Sequence, residues 1–476
     1  MRTQVVFLFL LLWSFAVPGV AALDDCVLTH PRLSRVVNAR CADYQVPLDP
    51  ARADGERIRL HVAVVPASGR NPRPDPLFFI AGGPGQSAVE SALPMWPLFR
   101  EVLKHRDLVL IDQRGTGKST LLGCKADEEI DLASDDETLA RRTRECLARQ
   151  DVDVRFFTSR QAVADLEFVR QALGYERFNV MGVSYGTRVA QLVLREYPER
   201  VRSIVLDGVL PPELVLGPEF ADNLSASLQK LFFHCAADAA CRKAFPQLEQ
   251  DWRRYLALPL DERRSVSLRH PRTGEPLELE ASRQTLDMAV RLLSYSSDTR
   301  ALLPLVIHEA AAGDWQPLLS QALQVAAGLE GNLAEGMHNS VVCAEDVPYY
   351  KDIPVDDNRV LGRMMRQLRL VCRFWPRGES FADIHRPLRS DTPALLLSGE
   401  LDPVTPVSYG EQVLKQFSRG KHLVVPGQGH NVSPRGCVPE LVADFLDTLD
   451  LDEKKAACVQ HTPRLPFFID ALGPGA

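Results

Sequence analysis

Short, unbroken apolar runs punctuate the first half of the chain, and each ends in glycine or a polar turn. Leu77-Phe78-Phe79-Ile80 runs into Gly82-Gly83-Pro84-Gly85, and Leu108-Val109-Leu110-Ile111 into Asp112-Gln113-Arg114-Gly115. Phe178-Asn179-Val180-Met181 stops at Gly182, and Ile204-Val205-Leu206 at Asp207-Gly208. Runs that are continuous rather than alternating belong to strands buried on both faces, as in a parallel sheet. An earlier run, Val62-Ala63-Val64-Val65, precedes a Pro-rich stretch from Pro66 to Pro76 that reads as an exposed loop. Between the runs the apolar spacing turns helical. Ala162, Leu166, Val169 and Leu173 lie on one face before Gly174, which suits a helix C-terminus. Val189, Leu192 and Val193 do the same before Tyr197-Pro198. Strand and helix in alternation predict an α/β fold, a mostly parallel sheet with helices on both faces.

From Pro211 to Arg389 the pattern changes to a mainly helical one, rich in Arg, Glu, Leu and Ala. Buried-strand runs then return at Ala394-Leu395-Leu396-Leu397-Ser398-Gly399 and Leu423-Val424-Val425, and Leu441, Phe445 and Leu449 form a last helical face. The expected organisation is a core in two parts, residues 23–210 and 390–476, with a helical lid or cap over 211–389 inserted between them.

Residues 1–22 read as a signal peptide. Arg2 precedes the apolar stretch Val5 to Val17, Pro18-Gly19 breaks it, and small residues place cleavage after Ala22. The stretch is too short to span a bilayer comfortably, and no later segment approaches a membrane helix. The mature chain is therefore expected to be exported, to periplasm or medium, without a stable membrane span. Ten cysteines fit that setting, because an oxidising compartment preserves disulfides. Pairing in sequence order gives Cys26–Cys41, Cys124–Cys146, Cys235–Cys241, Cys343–Cys372 and Cys437–Cys458. The spacing lacks the paired C-x-x-C units or His clusters of a metal site, so no metal is expected.

A chain 45% hydrophobic and 25% charged is ordinary globular material. Its formal net charge of −7, without a Lys/Arg run, argues against nucleic acid as a partner. Nothing in the sequence sets an oligomeric state.

The chemistry starts at Gly182-Val183-Ser184-Tyr185-Gly186, a G-x-S-x-G nucleophile elbow between a predicted strand and a predicted helix. Ser184 needs a base and an orienting acid, and the usual chain order is Ser, acid, His. Asp402 follows one late strand and His430, in Gly427-Gln428-Gly429-His430, follows the next. Asp207 and Glu400 are rival acids. The backbone N–H of Tyr185 and that of Gly83, in the Gly-rich loop, are the expected oxyanion donors. Arg114-Gly115-Thr116-Gly117-Lys118-Ser119 imitates a phosphate loop, but the required glycine at 112 is Asp112. Asp112 and Arg114 read instead as buried structural charges, and no cofactor is expected.

Together these motifs resemble the signature set of proline iminopeptidase-type α/β-hydrolases, and the large lid and many cysteines resemble the secreted tripeptidyl aminopeptidase branch. The likeness covers most of the mature chain. Ala81 stands where that family's loop often has His, a departure that bears on proline specificity rather than on the backbone donors. The resemblance implies a serine exopeptidase acting on peptides with a free N-terminus, which requires carboxylates for the ammonium group. Glu345 and Asp346, after Cys343, are the candidates. A carboxylesterase or other small-molecule serine hydrolase on the same fold is the alternative enzyme, and a catalytically silent binding module the alternative outside enzymes.

Overall fold

A computed structural model describes residues 23–30, 33–52, 54–124, 134–329, 333–351 and 359–474. The leader expected over residues 1–22 lies outside them. Among the described residues, nine strands form one sheet in the order β1-β2-β3-β5-β4-β6-β7-β10-β11. These are β1 (Asp24–His30), β2 (Leu33–Pro47), β3 (Arg57–Val65), β4 (Leu77–Ile80), β5 (Leu108–Ile111), β6 (Phe178–Val183) and β7 (Val201–Asp207), followed after a long excursion by β10 (Ala394–Gly399) and β11 (Gly420–Val425). From β5 to β11 every pairing is parallel, whereas β1, β2 and β3 are antiparallel additions at one edge.

The continuous apolar runs form the central strands, and their side chains feed two cores, one on each face of the sheet. Phe78 and Phe79 point to opposite faces, and each is almost wholly buried. Burying a side chain of that size contributes about 2–3 kcal/mol. Helix α1 (Ser159–Ala172) precedes β6 and α2 (Tyr185–Glu196) follows it. The hairpin β1–β2 was not anticipated. It alternates buried and exposed positions along an edge, as at Val37, Ala39, Ala42, Tyr44 and Val46, and so offers no unbroken apolar run.

The excursion leaves β7 and returns to β10, two strands that pair directly with Ile204 opposite Ala394. It carries α3 (Phe220–Ala237), α4 (Arg283–Tyr295), α5 (Glu335–Glu345) and α6 (Met364–Val371), and it has a hydrophobic core of its own. It also contains an antiparallel pair, β8 (Arg264–Arg269) and β9 (Pro276–Ala281), within a region whose pattern reads as mainly helical. Alternating polar residues on its mostly exposed strands hid that hairpin.

The five disulfides join cysteines that are neighbours in sequence order, a connectivity that the sequence by itself leaves open. Among the described residues no helix is long and apolar enough to cross a membrane. Because the central strands are parallel, the loops after β4, β6, β7, β10 and β11 all leave the same edge of the sheet, where α/β folds gather their ligands.

Candidate active site

Ser184 occupies the turn between β6 and α2 with φ 56° and ψ −124°, a backbone region that non-glycine residues seldom adopt. Crowding explains the flanking glycines. A Cβ on Gly182 would lie 2.2 Å from the Gly186 carbonyl oxygen, and one on Gly186 would lie 2.4 Å from that of Ile80. The Ser184 N–H donates to the Asp207 carbonyl at 2.8 Å, and Thr187 N–H and Oγ1 donate to the Ser184 carbonyl at 2.8 and 2.6 Å. The residue itself is partly exposed while its neighbours in the turn are buried.

Asp402 and His430 come together. His430 Nδ1 lies 2.7 Å from Asp402 Oδ2. A carboxylate only accepts, so Nδ1 carries the proton and Nε2 of the neutral ring holds the lone pair. Asp402 is fully engaged: Oδ1 accepts from the Val404 and Thr405 amides, both at 2.8 Å, and Oδ2 also accepts from Thr405 Oγ1 at 2.7 Å. Burial works to raise its pKa, but the charge and hydrogen bond of His430 and those two amides prevail and hold it below the usual carboxylate range. For His430 burial works downward, but Asp402 prevails and leaves the ring above the ordinary histidine value. The His430 side chain is only 4% exposed, and Nε2 has no hydrogen-bond partner. Tyr295 fixes the loop: its carbonyl accepts from the His430 N–H at 2.8 Å, and its ring meets the imidazole edge-on, 5.4 Å between centroids.

The rival acids have other work. The Asp207 carboxylate accepts from the Val432 and Ser433 amides at 3.0 and 2.8 Å, so one residue grips both the Ser184 turn and the His430 loop. Glu400 accepts from the Gly427 N–H at 2.7 Å. Neither Thr405 nor Tyr295 was singled out from the sequence. The spacing Asp402-x-x-Thr405 is a readable side-chain-to-backbone turn, whereas Tyr295 sits in the excursion and gave no signal.

The Gly-rich loop abuts the elbow. A Cβ on Gly82 would lie 3.0 Å from Ser184 Cβ and 3.1 Å from Gln86 Oε1. Gly83 follows with φ 107°, and the Gly85 carbonyl accepts from Ala334 N–H at 2.9 Å. Tyr185 begins α2, whose first-turn N–H groups have no intrahelical acceptor. Asp112 is buried, accepting from Ser87 Oγ, Val89 N–H and Lys118 N–H, and Arg114 is buried against Asp165.

Glu345 and Asp346, expected at a substrate ammonium, are instead enclosed, with side chains 0% exposed. Arg188 of α2 clamps Asp346 through two 3.0 Å bonds, and the Leu216 N–H donates to it at 2.8 Å. Glu345 accepts from Ser159 N–H and Oγ, both at 2.7 Å, and Ser159 Oγ in turn meets the Tyr185 hydroxyl at 2.7 Å. Burial raises Glu345 to about 7, with Arg188 pulling the other way. This network bolts α5 of the excursion to the elbow helix, which a local acidic pair cannot reveal.

A cavity of about 270 Å³ lies among α4, α5 and α6, with Glu335, His338, Asp287 and Met364 in its walls. The Pro84 backbone lies near enough to His338 to act on its ring, so this wall touches the Gly-rich loop. Burial, reinforced by the charge of Arg291, pushes His338 down to about 4. The ring is therefore neutral at physiological pH.

A serine on a strand–turn–helix elbow, a carboxylate-bound histidine on neighbouring strand ends and a Gly-rich loop alongside define the class of α/β serine hydrolases. A family model described as alpha/beta hydrolase fold matches residues 75–434. The chain belongs to that family. It is 26% identical to the serine protease Hip1 of Mycobacterium tuberculosis, over 88% of this chain and 87% of that one. It is also 26% identical to a tripeptidyl aminopeptidase of Streptomyces coelicolor, over 89% and 84%. Among solved structures it matches a proline iminopeptidase of Mycobacterium smegmatis at 16% identity, TM-score 0.39, over 88% of this chain and 97% of that one.

Proposed function

We propose that the protein is an exported serine exopeptidase that releases residues from the N-terminus of peptides through an acyl-enzyme. The observation that carries the chemistry is the His430 imidazole, oriented by a fully engaged Asp402 and presenting an unpartnered Nε2 at the sheet edge that holds Ser184. Ser184 Oγ attacks the substrate carbonyl while His430 Nε2 takes its proton. The backbone N–H groups of Gly83 and Tyr185 receive the charge that develops on the carbonyl oxygen. His430 then hands the proton to the leaving amine, and water repeats the sequence to free the acyl group. Asp402 holds the imidazole tautomer and stabilises its charged form.

Peptide as the substrate class is supported by likeness to a serine protease and a tripeptidyl aminopeptidase along most of the chain. An exopeptidase must also meet a free ammonium. With Glu345 and Asp346 enclosed, that role falls to Glu335, which lines the cavity with no hydrogen-bond partner among the described residues. Five disulfides support an oxidising compartment.

The test incubates the purified protein with a mixed peptide library, free and N-acetylated, and reads the fragments by mass spectrometry. N-terminal fragments from free peptides alone are expected, with none from Ser184→Ala, and Glu335→Gln should narrow the gap between free and acetylated substrates. Fluorophosphonate labelling at Ser184 without peptide cleavage, together with ester hydrolysis, would replace this reading by a carboxylesterase. Absence of labelling would leave a silent binding module.

A further inference from the structure

Arg291, beside the site, has no acidic partner among the described residues. Arg291 lies on α4 one turn before Tyr295, and the residue is half-buried. Nε and Nη2 donate to the Tyr295 hydroxyl at 3.3 and 3.0 Å, and Nη1 meets Met364 Sδ at 2.9 Å. Its charge sits 4.8 Å from the Phe220 ring centroid and 5.8 Å from that of Tyr295. Among the described residues it makes no ion pair. Among the buried arginines, Arg106, Arg114 and Arg188 each hold a carboxylate, and Arg300 is met by the carbonyls of Ser227, Ser294 and Leu401.

Two features make this a binding group rather than a packing one. First, position: Arg291 lines a crevice with Phe220, Pro403 and Val404, the last two directly following Asp402, and its partner Met364 also walls the cavity that holds Glu335. Its field reaches both histidines: it adds to the lowering of His338 and opposes, without reversing, the rise of His430. Second, chemistry: a guanidinium offers five donors in a fixed fork, and a phenol oxygen and a thioether are weak partners for a cation removed in part from water. A carboxylate would satisfy the fork with two parallel charge-assisted bonds. Arg291 packs on the imidazole through Tyr295, and the imidazole must face the leaving amine. The fork therefore flanks the leaving half of the substrate.

We propose that Arg291 binds a substrate carboxylate on the far side of the scissile bond, so that the enzyme selects peptides carrying an acidic group there. This rests on the peptidase reading. The carboxylate has two possible sources, the free C-terminus of a short peptide or an acidic side chain just after the cleavage point.

The experiment uses the full chain with Ser184→Ala, so that nothing turns over, and calorimetric titration with matched peptides. One arm compares a free C-terminus with its amide, the other Asp with Asn in the first leaving residue. In one arm the acid should bind at least about tenfold tighter than its neutral twin, the range for hydrogen bonds to a charged group. Adding Arg291→Met should bring that ratio to about one, and Arg291→Lys should retain part of it. Ratios near one in both arms, or a ratio that survives Arg291→Met, overturn the proposal. Should Arg291→Met not fold, Arg291→Lys and the ratios of the parent protein decide. Hydrolysis of the same peptides by the unaltered enzyme separates the two readings. Cleavage with no preference for acid overturns this inference alone, and acid-selective binding without any cleavage overturns only the peptidase.

Discussion

Replacing Gly208 by alanine should disable the site while leaving the fold standing. Gly208 follows β7 with φ 67°, and its N–H donates to the Leu397 carbonyl at 3.0 Å. A Cβ there would lie 2.9 Å from His430 Cε1, 3.2 Å from His430 Nδ1 and 3.2 Å from Thr405 Oγ1. Non-bonded carbons settle at ~3.5–4.0 Å, so the imidazole must retreat by ~0.6–1.1 Å. It is not free to do so. Nδ1 is tied to Asp402 at 2.7 Å, the His430 N–H is tied to the Tyr295 carbonyl, and the Tyr295 ring stands against it. The retreat must lengthen the Asp402 bond or turn Nε2 away from Ser184. A displacement of ~1 Å in a catalytic group costs about 100-fold in rate. The left-handed backbone adds ~1–2 kcal/mol of destabilisation for a residue with a Cβ. Gly174 is the control, because it has φ 75° and nothing within 4 Å of its would-be Cβ. Gly208→Ala should lower both kcat/KM and the rate of fluorophosphonate labelling by about 100-fold, with urea unfolding shifted by only ~1–3 kcal/mol. Gly174→Ala should shift unfolding by ~1 kcal/mol with activity unchanged. If Gly208→Ala labels at the normal rate, or Gly174→Ala loses as much activity, the packing argument fails.

Further outcomes follow from the same structure. Because His430 titrates above the ordinary histidine value and must be neutral to accept a proton, kcat/KM should rise with pH along an acid limb centred above ~6.5; Asp402→Asn should lower kcat by ~10³–10⁴-fold and move that limb downward. The stability sign is opposite. The His430–Asp402 interaction stabilises the fold fully below the unfolded histidine value and is lost as pH rises through the folded one, which urea midpoints across pH 5–9 would register. Arg188→Met strands Asp346 and Glu345 in the interior and should destabilise the protein by ~3–5 kcal/mol in urea unfolding. Removing Cys343–Cys372, whose partners are 29 residues apart, should lower stability by ~3.5 kcal/mol on loop entropy, read without reductant as a drop in melting temperature.

How far the sequence could be read depends on the range over which each feature is decided. The central strands are legible because burial on both faces leaves continuous apolar runs, and the elbow is legible because Gly182 answers to crowding by Gly186 within the same five residues. The hairpins β1–β2 and β8–β9 escape because an exposed edge needs only alternation, which polar loops also show. Glu345 and Asp346 mislead for a related reason. An acidic pair reads the same whether it faces a cavity or a buried arginine, and Arg188 lies 158 residues from its partner Asp346. Arg291 and His338 gave no signal, since their neighbours arrive from Phe220, Met364 and the Pro403-Val404 loop and from the Gly-rich loop.

The choice between Asp207 and Asp402 shows the limit most sharply, because both end a parallel strand. Register decides it. Asp207 is still inside β7, level with Val183 of β6 and Leu397 of β10. At that depth its carboxylate lies beneath the departing loops and meets backbone amides, as the bonds from Val432 and Ser433 show. Asp402 stands five positions beyond the residue that pairs with Asp207, on a loop already clear of the sheet, and there it reaches the imidazole. A strand-end acid therefore orients the base when it overshoots the last ladder pair, and anchors the loops when it does not. The number of residues past that pair depends on pairing between strands almost two hundred residues apart, and no local pattern encodes it.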